Sequence, residues 1–190
     1  MAGLRSLKQL SKRFAQDETG VVTLEFMIVF PVFLLFFLMT YESGMISTRH
    51  VMLERGLDIA VREIRIGIMT DPDRDTLRQR ICEEALIIPN CMSELEIELL
   101  QRDPMNWVAV PSNVRCIDRG KVDQEEVTVD GTGNNFLMFV RACARFDPVL
   151  PTTGLGKIIV ENNSGDAAGG SYALVSIAAF VVEPFRVASN

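Results

Sequence analysis

Histidine is almost missing from this 190-residue chain: His50 is the only one, against 19 Lys and Arg and 25 Asp and Glu. It follows Arg49 with no nucleophile signature nearby, so it reads as a surface side chain and not as a catalytic base. Four cysteines occur without a C-x-x-C spacing, which removes the usual signal for a redox dithiol or a zinc ribbon. The stretch DPDRD opens like a calcium loop, but its sixth position is Thr76 and its twelfth is Cys82, where such a loop needs glycine and glutamate. GTGNN and GLGK lack the strand-to-helix setting of a phosphate loop and read as turns. Basic clusters are also absent beyond residue 20. The first twenty residues hold four of the 19 basic and two of the 25 acidic groups, leaving 15 against 23, a balance that argues against nucleic acid. The expectation is a protein that is not an enzyme, with no metal, no cofactor and no small-molecule substrate.

What the chain does have is one long apolar run. Between residues 21 and 41 the only ionisable side chains are Glu25 and Tyr41. As a helix rising ~1.5 Å per residue, this stretch is about 30 Å long, the thickness of a bilayer core. Arg5, Lys8, Lys12 and Arg13 precede it and Glu42 follows it. The positive-inside rule then places the N-terminus in the cytoplasm and the rest outside, a single-pass N-in, C-out anchor. A cleaved secretory signal is the main competitor, but the run is too long for one, and Thr40-Tyr41-Glu42-Ser43-Gly44 offers no small-x-small site.

Cys82, Cys91, Cys116 and Cys143 all lie beyond the anchor, in what would be an oxidising compartment, so two disulfides are expected. Four cysteines allow three connectivities. Cys82–Cys91 with Cys116–Cys143 is preferred because the first pair is close in sequence and flanks an expected helix end.

The apolar periodicity carries on past the anchor. Met45, Met52, Leu53, Leu57, Ala60, Ile64 and Ile68 recur at helical steps, with Arg49, Glu54, Arg55, Arg62 and Glu63 expected on a solvated opposite face. This amphipathic stem is predicted to stop near Thr70. Asp71 as N-cap and Pro72 would open a second helix to about Ile88, burying Leu77, Ile81, Ala85 and Ile88. In SELEIELL, Leu95, Ile97 and Leu99 alternate with Glu94, Glu96 and Glu98, which predicts a strand with one apolar and one solvated acidic face. Residues 136–146 and 172–185 are the other strong strand candidates, with a short one at 125–129. Trp107 and Met105 sit in a Pro-flanked loop, where local packing is the plainer reading and a contact site the sharper one. The fold class expected is α+β: a long transmembrane and stem helix, a short helix and a small antiparallel sheet. The expected organisation is a leader at 1–20, a transmembrane segment at 21–41, a stem at 42–70 and a periplasmic head at 71–190.

Glu25 is the residue that asks for an explanation, since a charge in hydrocarbon costs on the order of 2.5–3.5 kcal/mol even on insertion scales. Gly20, the apolar start at Val21 and Glu25, directly after a basic leader, resemble the processing site of type IV prepilins. That resemblance implies cleavage after Gly20 by a membrane prepilin peptidase. Val21 would become the new N-terminus, and its ammonium, on this or a neighbouring subunit, would answer Glu25 and set register. The wider stretch GVVTLEFMIVFPVFLLFFLMTYESG, with Phe26, Pro31, Glu42 and Gly44, resembles the TadE-like family, the pseudopilins of tight-adherence (Flp, type IVc) pilus systems. Pro31 removes one helical hydrogen bond, so either a kink or simple tolerance inside a membrane is expected there.

The resemblance implies a minor pilin-like subunit of the bacterial inner membrane, processed at Gly20 and either incorporated into an extracellular Flp pilus or priming it. Its partners would be the membrane, the prepilin peptidase, other pilin and pseudopilin subunits and the pilus assembly platform. Two alternatives stay open: a type II secretion pseudopilin, and a membrane-anchored periplasmic binding protein or enzyme whose glycine and glutamate match by chance.

Overall fold

The computed structural model describes residues 21–69, 73–119, 137–150, 155, 156, 158, 160 and 170–181. The leader, the expected cap at Asp71 and Pro72, and the strand expected at 125–129 lie outside the described residues. The chain divides into two compact units, Met1–Thr40 and Tyr41–Asn190.

The described part of the first unit is a helix of apolar side chains. Helix α1 is assigned over Val21–Arg65, 45 residues, and Pro31 lies inside it without ending it. From Val22 to Phe37 the side chains are exposed, large apolar ones included. α1 is long and apolar enough to cross a membrane.

In the second unit α1 presents a different face. Leu53, Leu57, Ala60 and Ile64 are buried, at the three- and four-residue steps that place them on one stripe. Met45 and Met52 are half-buried, and Ile68 is exposed because the helix has already ended. The end comes at Arg65, earlier than the expected stop near Thr70. The N–H of Ile68 donates to the Glu63 carbonyl (3.0 Å) and that of Gly67 to the Ile64 carbonyl (3.1 Å). With Gly67 at φ 75°, this is a Schellman motif, in which glycine takes the left-handed position that terminates the helix.

Helix α2, Arg74–Glu84, starts from Asp73 in extended conformation and buries Leu77 and Ile81. It is shorter than the span to Ile88 expected from sequence. Ala85 leaves helical geometry at ψ 56°, and Asn90 at φ 51° turns the chain into the one-turn helix α3, Cys91–Glu94. The reversal brings Cys91 back to Cys82, and the two are joined by a disulfide. Ala85 and Ile88 remain in the core despite the early helix end.

Three strands follow: β1, Leu95–Arg102; β2, Leu137–Phe146; and β3, Tyr172–Val181. They form one antiparallel sheet in the order β1-β2-β3. The registers pair Leu95 with Ala144, Glu98 with Arg141, Val140 with Ala178 and Phe146 with Tyr172. Because side chains alternate along a strand, Leu95, Ile97, Leu99, Met138, Val140, Ala142, Ala144, Phe146, Tyr172 and Phe180 share one face. That face joins the buried stripes of α1 and α2 in a single core. The architecture is α+β.

The opposite sheet face is not the solvated acidic surface expected from Glu94, Glu96 and Glu98. Glu96 is 2% and Glu98 7% exposed. Arginines and the segment after β1 cover them. Arg74 donates from Nε to Glu96 Oε1 (3.0 Å), and Arg78 lies 3.6 Å from Glu96 Oε2. Across the strand pair, Arg141 Nε stands 3.2 Å from Glu98 Oε2, while its Nη1 donates to the carbonyls of Pro111 (2.8 Å) and Asn113 (3.3 Å). The disulfide Cys116–Cys143 ties that segment to β2. Trp107 packs edge-on against Phe139, centroids 6.1 Å apart, while Met105 is exposed.

Candidate functional site

Two groups of side chains carry candidate function, one in each unit. In the first, Val21 is the first residue of α1 and Glu25 follows one turn later, exposed among exposed Leu24, Phe26 and Met27. Phe26 and Phe30 stack along the helix with centroids 5.0 Å apart. Gly20 lies outside the described residues. Thr40 donates its hydroxyl to the Phe36 carbonyl (2.9 Å), which satisfies a polar group at the end of an apolar helix segment.

In the second unit Glu42 is fully buried, at 0% exposure. Its carboxylate accepts the backbone N–H of Val149 (3.0 Å, Oε1) and of Leu150 (2.9 Å, Oε2). One side chain near the start of the stem thus holds the loop that leaves β2. Burial of such a group is tolerable because both oxygens are hydrogen-bonded. Gly44, two residues on, is exposed with open space around it.

Seven residues beyond Glu42, on the same stripe of α1, is Arg49, 8% exposed. The sequence pattern had set Arg49 on the solvated face; the structure corrects this. Its Nη1 donates to the Tyr172 hydroxyl (2.9 Å) and the Asp147 carbonyl (3.1 Å), and the guanidinium lies 5.1 Å from the centre of the Phe146 ring. The stacked ring and the two oxygens stand in for water around the charge. Burial raises the pKa of Tyr172, and the hydrogen bond from Arg49 only partly offsets this.

Arg49 lines a pocket of about 540 Å³ together with Arg145, Arg119, Glu94 and Asp147. Arg119 bridges the two carboxylates, Nε to Glu94 at 2.9 Å and Nη1 to Asp147 at 2.6 Å. Burial opposes the charge on Arg119, but the two carboxylates outweigh it and raise its pKa. Arg145 is 7% exposed and donates from Nη1 to the Ser171 hydroxyl (3.2 Å). A larger groove, about 730 Å³, runs between Asp58, Arg62 and Arg65 of α1 and the Ile177–Phe180 stretch of β3. His50 sits near the same strand, its Nε2 3.3 Å from the Val175 carbonyl oxygen and 3.7 Å from the Glu54 carboxylate. Among the described residues, no group of three or more His, Cys, Asp or Glu is placed to hold a metal ion.

Glu25, Phe26, Pro31, Glu42 and Gly44, all on α1, are the positions at which a family comparison becomes informative. Residues 20–62 match the TadE-like protein family. The TadE-like segment therefore opens at Gly20, contains Glu25, Glu42 and Arg49, and ends three residues before α1 does. No curated protein and no solved structure matches the chain. The match takes in none of the sheet, and the matched segment engages the rest of the second unit through the polar anchors Glu42 and Arg49 and through the buried apolar side chains Leu53, Leu57 and Ala60. Sequence reasoning missed Arg49 and Arg145 as pocket residues. A signal was present: Arg141, Cys143 and Arg145 alternate along β2, so any cover over Cys143 had to bury arginines too.

Proposed function

We propose that this chain is a minor pilin-like subunit acting in assembly of a tight-adherence pilus, anchored N-in, C-out in the bacterial inner membrane, with a structural role and no catalysis of its own. The observation that carries the reading is the exposed apolar helix described from Val21 onward, with Glu25 as the single carboxylate among its exposed apolar side chains, within a TadE-like segment that opens at Gly20. In this reading the prepilin peptidase cuts after Gly20. The new ammonium at Val21 lies about 6 Å along the helix axis from Glu25, at ~1.5 Å per residue. In a low-dielectric setting that charge, on the same or a neighbouring subunit, offsets the insertion penalty of Glu25 and fixes axial register. The exposed Phe, Leu and Val side chains between Val22 and Phe37 meet lipid first and other subunits' helices on assembly. A disulfide-tied second unit of this size suits a minor subunit better than a bulk filament one.

N-terminal analysis and intact mass of the membrane-extracted protein test the reading. The expected chain begins at Val21, and Gly20→Leu leaves it uncut. Glu25→Ala is expected to insert normally and to impair piliation. An uncut chain in cells making normal pili would overturn the proposal.

A further inference from the structure

On one side the sheet ends at β3. Half of the backbone groups of an edge strand face away from its neighbour, and proteins commonly guard such an edge with charge, proline or a bulge. β3, YALVSIAAFV, has no charged residue and no proline, and its pairing with β2 runs unbroken from Tyr172 to Val181. His50 engages the Val175 carbonyl (3.3 Å), which covers the first half of the edge from α1. Beyond it Ile177, Ala179 and Val181 are exposed, and the groove of about 730 Å³ separates the Ile177–Phe180 stretch from Val61 and Ile66 of α1. A second unpaired stretch lies close by. Trp107–Val110 is uncharged, adopts no helix or strand, and makes no backbone hydrogen bond among the described residues; Trp107 and Val108 are exposed. Trp107 packs on Phe139, the Pro111 and Asn113 carbonyls accept from Arg141, and Cys116 is bonded to Cys143, so this arm runs the same way as β2 and opposite to β3. Phe139 pairs with Ala179 and Arg141 with Ile177, so the arm stands level with the open half of the β3 edge.

We propose that two copies of this chain pair through these surfaces, the Trp107–Val110 arm of each adding as a strand to the β3 edge of the other about a two-fold axis parallel to β3. Rotation about such an axis preserves height, so an arm and an edge that stand level on one chain meet reciprocally on two. It also preserves strand direction, so each arm runs antiparallel to the edge it joins, the more stable ladder. The added strand supplies main-chain N–H and C=O groups to the open edge, while its side chains meet Val61 and Ile66 in the groove. Asp58, Arg62 and Arg65 also line the groove but are exposed, so their charged ends stay in water. On the outer sheet face Trp107 and Val108 of one copy cover Ile177 and Val181 of the other, exposed apolar side chains of the kind that mark interfaces. Neither the arm nor β3 has a charge to be left unpaired. The rival geometry joins the two β3 edges to each other, antiparallel. β3 runs the same way as α1, since Arg49 meets Tyr172 at its start and Asp58–Ile66 meet Ile177–Phe180 near its end, so that pairing would set the two α1 helices in opposite directions. Two chains anchored N-in, C-out in one membrane share a direction, and on this point alone the inference rests on the proposed function.

The test is cross-linking in membranes of cells making two differently tagged full-length copies, one with Val108→Cys and one with Ala179→Cys. All four native cysteines are in disulfides, so a short bismaleimide reads only the introduced thiols. The mixed pair should give cross-linked dimer at least tenfold above either variant alone. Ile177→Lys puts a charge on the edge at an exposed position and should cut that yield at least tenfold while leaving the urea midpoint unchanged; if Ile177→Lys does not fold, the cysteine pairs decide. Gly20→Leu should leave the cross-link in place, which separates failure of the pairing from failure of processing. A mixed pair that cross-links no better than the single variants, a stronger link between two Ala179→Cys copies, or a link that survives Ile177→Lys in folded protein would overturn the proposal.

Discussion

Replacing Glu42 by alanine removes the acceptor of two backbone N–H groups at once, those of Val149 and Leu150, at 3.0 and 2.9 Å. A hydrogen bond to a charged acceptor contributes about 1.5–3 kcal/mol net, and an orphaned buried donor loses about 1–3 kcal/mol. Val149 and Leu150 are only half-buried, so water recovers part of the loss. The expected destabilisation of the second unit is about 2–4 kcal/mol. Glu42→Gln keeps one carbonyl acceptor but turns an amide N–H toward the second donor, so it should lose about half as much. Urea unfolding of the detergent-solubilised protein, followed by the fluorescence of Trp107, reads the effect. With a slope of ~2 kcal/mol per molar, the Glu42→Ala midpoint should fall by about 1–2 M at unchanged slope. Hydrogen exchange gives a local check: the Val149 and Leu150 amides should be protected in the parent and lose protection in the variant. An unmoved midpoint, with both amides exchanging at parental rates, would refute the claim that Glu42 holds this loop.

At Gly56 an added Cβ would lie 2.8 Å from the Ile81 carbonyl oxygen and 3.1 Å from Ile81 Cγ2. Gly56→Ala should therefore destabilise by about 1–2 kcal/mol in urea unfolding, with overpacking outweighing the roughly 1 kcal/mol gain in helix propensity; a stabilised variant would disprove the close approach of α1 and α2. The disulfides close loops with separations of 9 and 27 residues. On the chain-entropy relation, Cys82→Ser with Cys91→Ser should lose about 2.6 kcal/mol and Cys116→Ser with Cys143→Ser about 3.6 kcal/mol, and the reverse order would count against that account. Tyr172 has a raised pKa through burial, so its neutral form is favoured in the folded state. The unfolded state releases this proton first, so stability is complete below the ordinary tyrosine pKa of about 10 and falls as pH rises through the folded value. Tyr172→Phe should remove that alkaline component in unfolding measured from pH 8 to 11.

Local signals were legible wherever neighbouring residues decide the outcome. The Leu95, Ile97, Leu99 alternation marks a strand, and the Leu77, Ile81 spacing marks the buried stripe of α2, because backbone geometry alone fixes which side chains share a face; Ala85 and Ile88 reach the same core from beyond the helix end. The same reasoning failed for Glu96, Glu98 and Arg49. It identifies the opposite face but cannot say whether water or another part of the chain lies against it. The end of α1 was misplaced by five residues because the apolar rhythm continues to Ile68, whereas the glycine at 67 decides the stop.

By itself, then, the sequence determined the apolar helix, its lone Glu25, the three strands and the acidic balance of the chain, all properties of composition and short-range periodicity. Nearness in sequence already favoured Cys82–Cys91, and with it Cys116–Cys143, and both bonds form; tertiary structure supplies the reason for the second, since the β1–β2 register and the covering segment carry Cys116 to Cys143 across 27 residues. Tertiary structure alone placed Glu42 on the Val149–Leu150 loop and set Arg49 against Tyr172, groups 107 and 123 residues apart along the chain. A long-range contact is fixed by how faces pack, and no local pattern encodes the distance at which a buried charge finds its partner.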